Sequence, residues 1–530
     1  MKGYVFLGLI FFLLAACGTR TDEDDTIGLY EDNALRNRGA EDYALHIGEH
    51  IEEQDEIEAV YEAVIPTLQD ALARANERRE SIIRLDSADL LQSMEGHAAN
   101  PADFWDFVNI DMPWGENIPI EDALADVDDF FQLLRNIYAG YTYFGGDEVF
   151  LPIHERISAA ISAYTNRIHT YFFEQIINRY LSPVVNDAHF FVGRHSMARA
   201  YHFHAGIVPF DRTANGFRNR ENGLYAVEID GIPIYDVMRL SIDERGAFFY
   251  AIVMPLDTHE RILNVTRAVL YSNGTSEYMQ LSRYPVARTP MEPPKLEWFD
   301  TIPVVSMTTM SFESHVECPQ MGITQLEATD IFLSFAEKLQ DEPAVILDLR
   351  GNGGGSSVTA SRWIYTLTGE IVPFNHIQIG IYVDEANPVE RTPYCTSTYT
   401  TQVNLDRFLP MPFDHFGGLF MMRYLPDEIV ERENILIVLA DRFTGSSAEF
   451  LVDLTTNITN TLIVGTNTRG VANFGGNYVK TMPRSGVPFR FSNRAIFWPE
   501  GHLPEGIGIA PDIWVSGDAL TAALAMLAQG

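Results

Sequence analysis

Basic residues are scarce in this chain: 37 Lys and Arg stand against 73 Asp and Glu over 530 residues, a formal net charge of −36. That deficit excludes nucleic acid as a partner, because a phosphate backbone is bound by a basic face that releases its counterions. Cysteine is scarcer still. Only Cys17, Cys318 and Cys395 occur, too few for a disulfide-stapled scaffold, and no Cys/His spacing suits zinc. Asp126-Val127-Asp128-Asp129 lacks the glycine and the distal glutamate of a calcium loop, so neither a metal nor a cofactor is expected. The apolar run at the start, Tyr4 to Leu14, is too short to cross a bilayer. What is abundant is core material. With 46% hydrophobic and 12% aromatic residues, the chain can bury a large interior and should form more than one domain.

The first sixteen residues carry one Lys2, the apolar run and then Leu14-Ala15-Ala16-Cys17. This order resembles a bacterial lipoprotein signal, which implies that Cys17 is lipidated and holds the chain to a membrane of the cell envelope. Residues 17–45 are polar and acidic, as a solvated tether would be. Residues 46–185 read as mainly helical: Ile57 to Ile82, Ile120 to Tyr138 and Ile153 to Tyr180 place apolar residues three and four apart, with Gly140 to Asp147 as a turn. Residues 186–295 are richer in strand signals, and 296–530 alternate strand and helix patterns, which predicts an α/β core with a mainly parallel sheet. Cys318 and Cys395 could pair in an oxidising compartment, but their pairing cannot be read from spacing.

Within that core, Asn434 to Ala440 is an apolar run of the kind that forms a strand buried on both faces. Gly445-Ser446-Ser447 follow, and then a helical pattern from Ala448 to Leu454. A serine there sits at a helix N-terminus, where free N–H groups favour developing negative charge, although capping the helix is the ordinary use of such a residue. Another buried-strand run, Ala344 to Arg350, leads into Gly351-Asn352-Gly353-Gly354-Gly355-Ser356. No lysine makes it a P-loop, and Ser356 stands where a dinucleotide fingerprint needs its third glycine. Glycines offering N–H donors without a cation suit an oxyanion hole.

Three segments, DLRGNGGG (348–355), SSAE (446–449) and EGIGIAPD (505–512), occur in the order found in the C-terminal processing, or tail-specific, serine peptidases and their tricorn-like relatives, which this chain resembles over its last two-fifths. The resemblance implies a crotonase-like α/β core and an exported serine endopeptidase acting on peptide or unfolded protein. It makes Ser446 the nucleophile and gives the oxyanion to the N–H groups of Gly353 or Gly354 and Ser447. In the tail-specific branch a lysine follows the glycine after the next strand; here Val471 follows Gly470, and Arg469 cannot act as a base. The tricorn-like branch uses a histidine from an Asp-x-His element, matched by Asp187-Ala188-His189, with Glu505 orienting it. His204 is the second candidate, with His195 and His202 behind. An ordinary imidazole near pKa 6.5 would make activity rise through neutral pH. Tyr225 to Leu240 resembles the strand-turn-helix of a PDZ-like module, a grip for peptide ends. Two other readings are an acyl-CoA enzyme of crotonase type, which export disfavours, and an inactive peptide-binding surface lipoprotein on the same fold.

Overall fold

The computed structural model describes residues 66–80, 115–199, 201–257, 264–283, 290–310, 317–318, 321–372, 374–381, 413–416, 419–423, 429–499, 502 and 505–529. Cys17, the signal and tether segments, the start of the Ile57 to Ile82 helical run and Cys395 lie outside the described residues. All described residues belong to one compact unit, Glu56–Gly530. No helix among them is long and apolar enough to cross a membrane.

The apolar runs form strands because both faces of each find a core. In Ala344–Asp348, Val345 and Leu347 point to one buried cluster with the helices Gln325–Lys338, Ser357–Thr368 and Ser447–Thr455; Ile346 points to another, with Leu68–Glu80 and Ala519–Leu527. Ile435–Ala440 alternates in the same way, Leu436 and Val438 one way, Ile437 and Leu439 the other. Strands Ile302–Ser306, Ala344–Asp348, Ile435–Ala440, Thr461–Gly465 and Ile513–Trp514 lie side by side in chain order and are all parallel. Their carboxyl ends therefore share one rim, where the glycine loop and the Ser446 turn both emerge.

The sheet continues through Met238–Ile242, which pairs with Trp514 at Ser241 and with Phe248–Asp257 on its other side. From there Tyr201–Gly206, Ser276–Arg283, Asn264–Tyr271, Tyr225–Ile229, Gly216–Asn219 and Phe210–Thr213 curl round until Phe210 pairs back with Tyr250. This closure encloses Phe210, Phe217, Ile252, Val269, Tyr271 and Leu281. The strand-turn-helix expected within Tyr225 to Leu240 is part of it, with a one-turn helix at Ile234–Val237.

Helices Ile120–Ile137, Gly146–Ser162 and Thr170–Leu181 pack on a second sheet. The helical spacing from Ile153 to Tyr180 is interrupted: strand Arg167–His169 separates two helices and pairs with Asn117–Pro119. Asn166 makes the reversal with φ 64, a left-handed conformation that asparagine tolerates, and its carbonyl accepts from Ile120 N at 3.1 Å. The Gly140 to Asp147 turn itself contains a one-turn helix, Gly140–Tyr143. Phe130, Phe173 and Phe190 share a core with Met482, Phe489 and Phe491 of the hairpin Phe474–Thr481/Pro488–Phe497. Buried Asp126 clamps the hairpin turn, accepting from Ser485 N at 2.7 Å and Arg484 N at 3.1 Å.

Candidate active site

Ser446 ends the turn that follows strand Ile435–Ala440 and caps helix Ser447–Thr455, with φ 53 and ψ −123. Among the described residues the other non-glycine positions with positive φ are all Asn or Asp (Asn166, Asp230, Asp300, Asn460). Serine has no such tolerance, so this backbone is strained and held by its surroundings. Part of the holding comes from the glycine loop. A Cβ on Gly354 would stand 2.6 Å from Gly445 O, 2.8 Å from Ser446 Cβ and 2.8 Å from Ser447 N, so only glycine permits this contact, at φ +96. Gly445 N donates to Asn352 O at 2.9 Å, and Ser447 Oγ donates to Gly355 O at 2.9 Å.

The two serines thus have different surroundings. Ser447 is buried and stitches the helix start to the glycine loop, while Ser446 is partly exposed at the strained position. The glycine donors differ too. Gly354 N donates to Asn352 Oδ1 at 3.0 Å, and the buried amide of Asn352 is itself fixed to Met307 O at 2.8 Å. Among the described residues no acceptor meets the N–H of Gly353, at the exposed tip of the loop, or that of Ser447.

Glu449, one helical turn into Ser447–Thr455, is fully buried and gathers four donors. Its Oε2 accepts from Ser446 N at 2.9 Å and Val471 N at 2.9 Å; Oε1 accepts from Thr468 Oγ1 at 2.6 Å and Gly470 N at 2.6 Å. Burial raises this carboxyl, and the four hydrogen bonds pull it back toward the charged form. The serine-to-glutamate spacing of three therefore ties the Ser446 amide to the loop in which lysine is missing. No role for Glu449 was expected from the sequence beyond its place in the motif; the spacing, which is that of a capping box, was the available signal.

His189 follows the end of helix Thr170–Leu181 in a buried loop. Its backbone is fixed on both sides: His189 N donates to Asp187 Oδ1 at 2.7 Å, and Arg490 Nε donates to His189 O at 2.9 Å. Asp187 also accepts from Tyr138 Oη at 3.1 Å. Glu505 reaches the same loop from the far end of the chain, accepting from Ala188 N at 3.0 Å on Oε1 and from Asn473 N at 3.3 Å on Oε2. The structure thus brings Glu505 to the amide next to His189, and the loop that supplies its other donor, Asn473, also supplies Val471 N to Glu449, the acceptor of Ser446 N. It does not form a hydrogen bond between the His189 ring and Glu505: Nδ1 of His189 is buried without a partner.

The electrostatics differ from those of an ordinary imidazole. Burial, then the charges of Arg490 and Arg469, push His189 down to about 3, so the ring is neutral across the neutral range. That corrects the expectation of a histidine titrating near 6.5. Burial pushes Asp187 up to about 7, against hydrogen bonds from His189 N and Tyr138. Glu505 is raised well above the usual carboxylate range by burial first, then by Asp187 and Glu449. Of these three groups it is the Asp187 carboxyl that burial brings into the neutral range.

The other candidate histidines lie on neighbouring strands. His204 is buried in the middle of strand Tyr201–Gly206, in register with Met254 and Arg283. His202 is two residues before it on that strand, and His195 pairs with Glu174 at 2.8 Å on the hairpin after His189. Among the described residues no group of three or more His, Cys, Asp or Glu is arranged to hold a metal ion.

Residues 304–515 match the model of peptidase family S41, a span that contains Gly353, Ser446, Glu449 and Glu505 but not His189. No curated protein matches the sequence. Among solved structures, mature CPAF is similar over 78% of this chain and 98% of its own, at 15% identity and a TM-score of 0.41. The photosystem II D1 C-terminal processing protease is similar over 74% of this chain and 92% of its own, at 13% identity and a TM-score of 0.33. A lipoprotein from Streptococcus agalactiae is similar over 77% of this chain and 96% of its own, at 11% identity and a TM-score of 0.35.

Proposed function

We propose that this chain, whose residues 304–515 match the model of peptidase family S41, is a serine endopeptidase with Ser446 as its nucleophile, His189 as its general base and Glu505 as the group that orients the base. The observation that carries this reading is the contact of the glycine loop with a serine in strained backbone, which leaves two N–H groups, Gly353 and Ser447, without acceptors beside Ser446. In the reaction Ser446 Oγ attacks the peptide carbonyl, and the neutral ring of His189 takes its proton and returns it to the leaving amine. The oxyanion accepts from Gly353 N and Ser447 N; Gly354 is not assigned this role, since its N–H is engaged by Asn352. Nδ1 of His189, buried and unpartnered, is the point at which Glu505 would hold the tautomer and meet the charge of the imidazolium.

That same unpartnered Nδ1 is the one observation favouring the second reading, an inactive peptide-binding protein on this fold. A fluorophosphonate probe separates the two. An enzyme is labelled at Ser446, and Ser446→Ala removes both the label and roughly 10⁴–10⁶-fold of the turnover. Ser447→Ala loses only the bond to Gly355 O and keeps the label. Labelling that survives Ser446→Ala, or no labelling of the wild type, would refute the assignment.

The finer architecture is part of the proposal: the parallel sheet with its glycine loop is a crotonase-like core, and the closed barrel around Tyr225–Ile229 is the PDZ-like module. So is the setting. Cys17, outside the described residues, is lipidated and anchors the chain in the cell envelope. Cys17→Ala should move the protein from the membrane to the soluble fraction, and a variant that still sediments with membranes after a high-salt wash would sink the anchor.

A further inference from the structure

Resting on Ser446 as nucleophile, we infer that Arg469 is a specificity residue that binds a substrate carboxylate flanking the scissile bond. Its backbone is fixed beside the candidate site: Arg469 N donates to Thr444 O at 2.8 Å, and its carbonyl accepts from Arg442 Nη1 at 3.2 Å. Its side chain runs along the nucleophile turn. The Cβ and Cδ of Arg469 lie 3.3 and 3.2 Å from the point where a Cβ on Gly445, the residue before Ser446, would stand. Its charge is also one of those that depress His189. The stem of Arg469 thus lies against the residue before the nucleophile, and its charge is felt at the proposed base.

The neighbouring arginines are already occupied. Arg442 Nη1 donates to Thr468 O at 2.8 Å and also to the carbonyl of Gly506, and Arg490 is bonded to His189 O with its guanidinium 4.3 Å from the centre of the Phe191 ring. Arg469 is exposed, and among the described residues no acceptor or carboxylate engages its guanidinium. A solvated surface arginine would look the same anywhere else on the molecule. Here it is a cation beside the nucleophile turn of a chain with net charge −36, and so a local attraction for an anionic group on a molecule that is acidic as a whole. A guanidinium offers a rigid fork that matches a carboxylate, and substrate binding would remove part of the water that now screens it.

The test uses the full-length protein and internally quenched peptides in which Asp or Glu at each position near the cleaved bond is compared with Asn or Gln. Each peptide is made with a free C-terminal acid and with an amide, so that side-chain and terminal carboxylates are told apart. The acid-over-amide ratio of kcat/KM should fall roughly three- to tenfold in Arg469→Gln, mainly through KM, and invert in Arg469→Glu. Fluorophosphonate labelling of each variant shows that the site is intact. Equal ratios in wild type and Arg469→Gln, or a wild type with no preference for a carboxylate in either position, would overturn the inference while labelling continues to support Ser446. Loss of labelling in the wild type would instead remove the nucleophile on which it rests.

Discussion

Asp187 and Glu505 are the residues from which a pH dependence is expected, because burial raises both carboxyls. Glu505 accepts from the amide beside His189, and Asp187 accepts from the amide of His189 itself, so two carboxyls flank one imidazole loop. With His189 already neutral, a rise of activity through neutral pH is expected to follow ionisation of the carboxyls beside it, Asp187 first, since burial pushes that group up to about 7. The charge of Asp187 raises Glu505. Asp187→Asn removes that charge while retaining an acceptor for His189 N, so Glu505 ionises more easily and the acid limb of kcat/KM should move to lower pH. An unmoved limb would mean that neither carboxyl controls it. Stability should respond as well: folding raises Asp187 from 3.8 to about 7, so the folded state holds its proton over that window and stability is lost as pH rises through it. The variant should lack that slope in thermal melts taken across the same pH values.

At the scale of elements, the contact between glycine loop and nucleophile turn can be broken by one methyl group. Gly354→Ala places a Cβ 2.6 Å from Gly445 O and 2.8 Å from Ser446 Cβ, in a backbone region that L residues rarely adopt. The strain alone costs about 1–3 kcal/mol. The loop or the turn must shift to relieve the clash, and since oxyanion donors act within tenths of an ångström, turnover should fall by roughly 10²–10³. Kinetics together with fluorophosphonate labelling check this; near-wild-type turnover would mean that the loop is not part of the oxyanion site. This contact also shows what the sequence made legible. The strand runs at 344–350 and 434–440 were readable because each strand meets a core on both faces; the motifs that follow them pointed to Gly353 or Gly354 and to Ser446, and the separate segment 505–512 pointed to Glu505. The use of Gly354 N by Asn352 was not, because a donor's partner depends on loop geometry. Nor was the work of Glu449 and Glu505. Their donors at Gly470, Val471 and Ala188 lie 21, 22 and 317 residues away in the chain, and hydrophobic periodicity carries no information about them. The break at Asn166 escaped for a related reason: the flanking helices keep apolar spacing, and the reversal rests on one backbone conformation and a pairing with Asn117–Pro119.

Across the whole molecule, the proposed base and nucleophile come from parts of the chain 257 positions apart, His189 from the end of the helical region and Ser446 from the parallel sheet (446 − 189 = 257). The helical region cannot hold His189 in place alone, because its core is completed by the hairpin Phe474–Thr481/Pro488–Phe497. Phe130 is central to that joint: fully buried, its ring lies 5.1 Å from Phe489 of the hairpin and 6.3 Å from Phe190, the neighbour of His189. Phe130→Ala should therefore cost about 3–5 kcal/mol of stability through lost burial and a cavity. It should also lower activity at temperatures where the fold persists, because Phe190 and the loop before it lose one wall of their support. Fluorophosphonate labelling, which needs the nucleophile and oxyanion donors, should decline less than peptide turnover, which needs His189 to return its proton. If labelling and turnover fall in equal proportion in the folded variant, the helical core is a scaffold for the whole molecule and has no particular hold on His189.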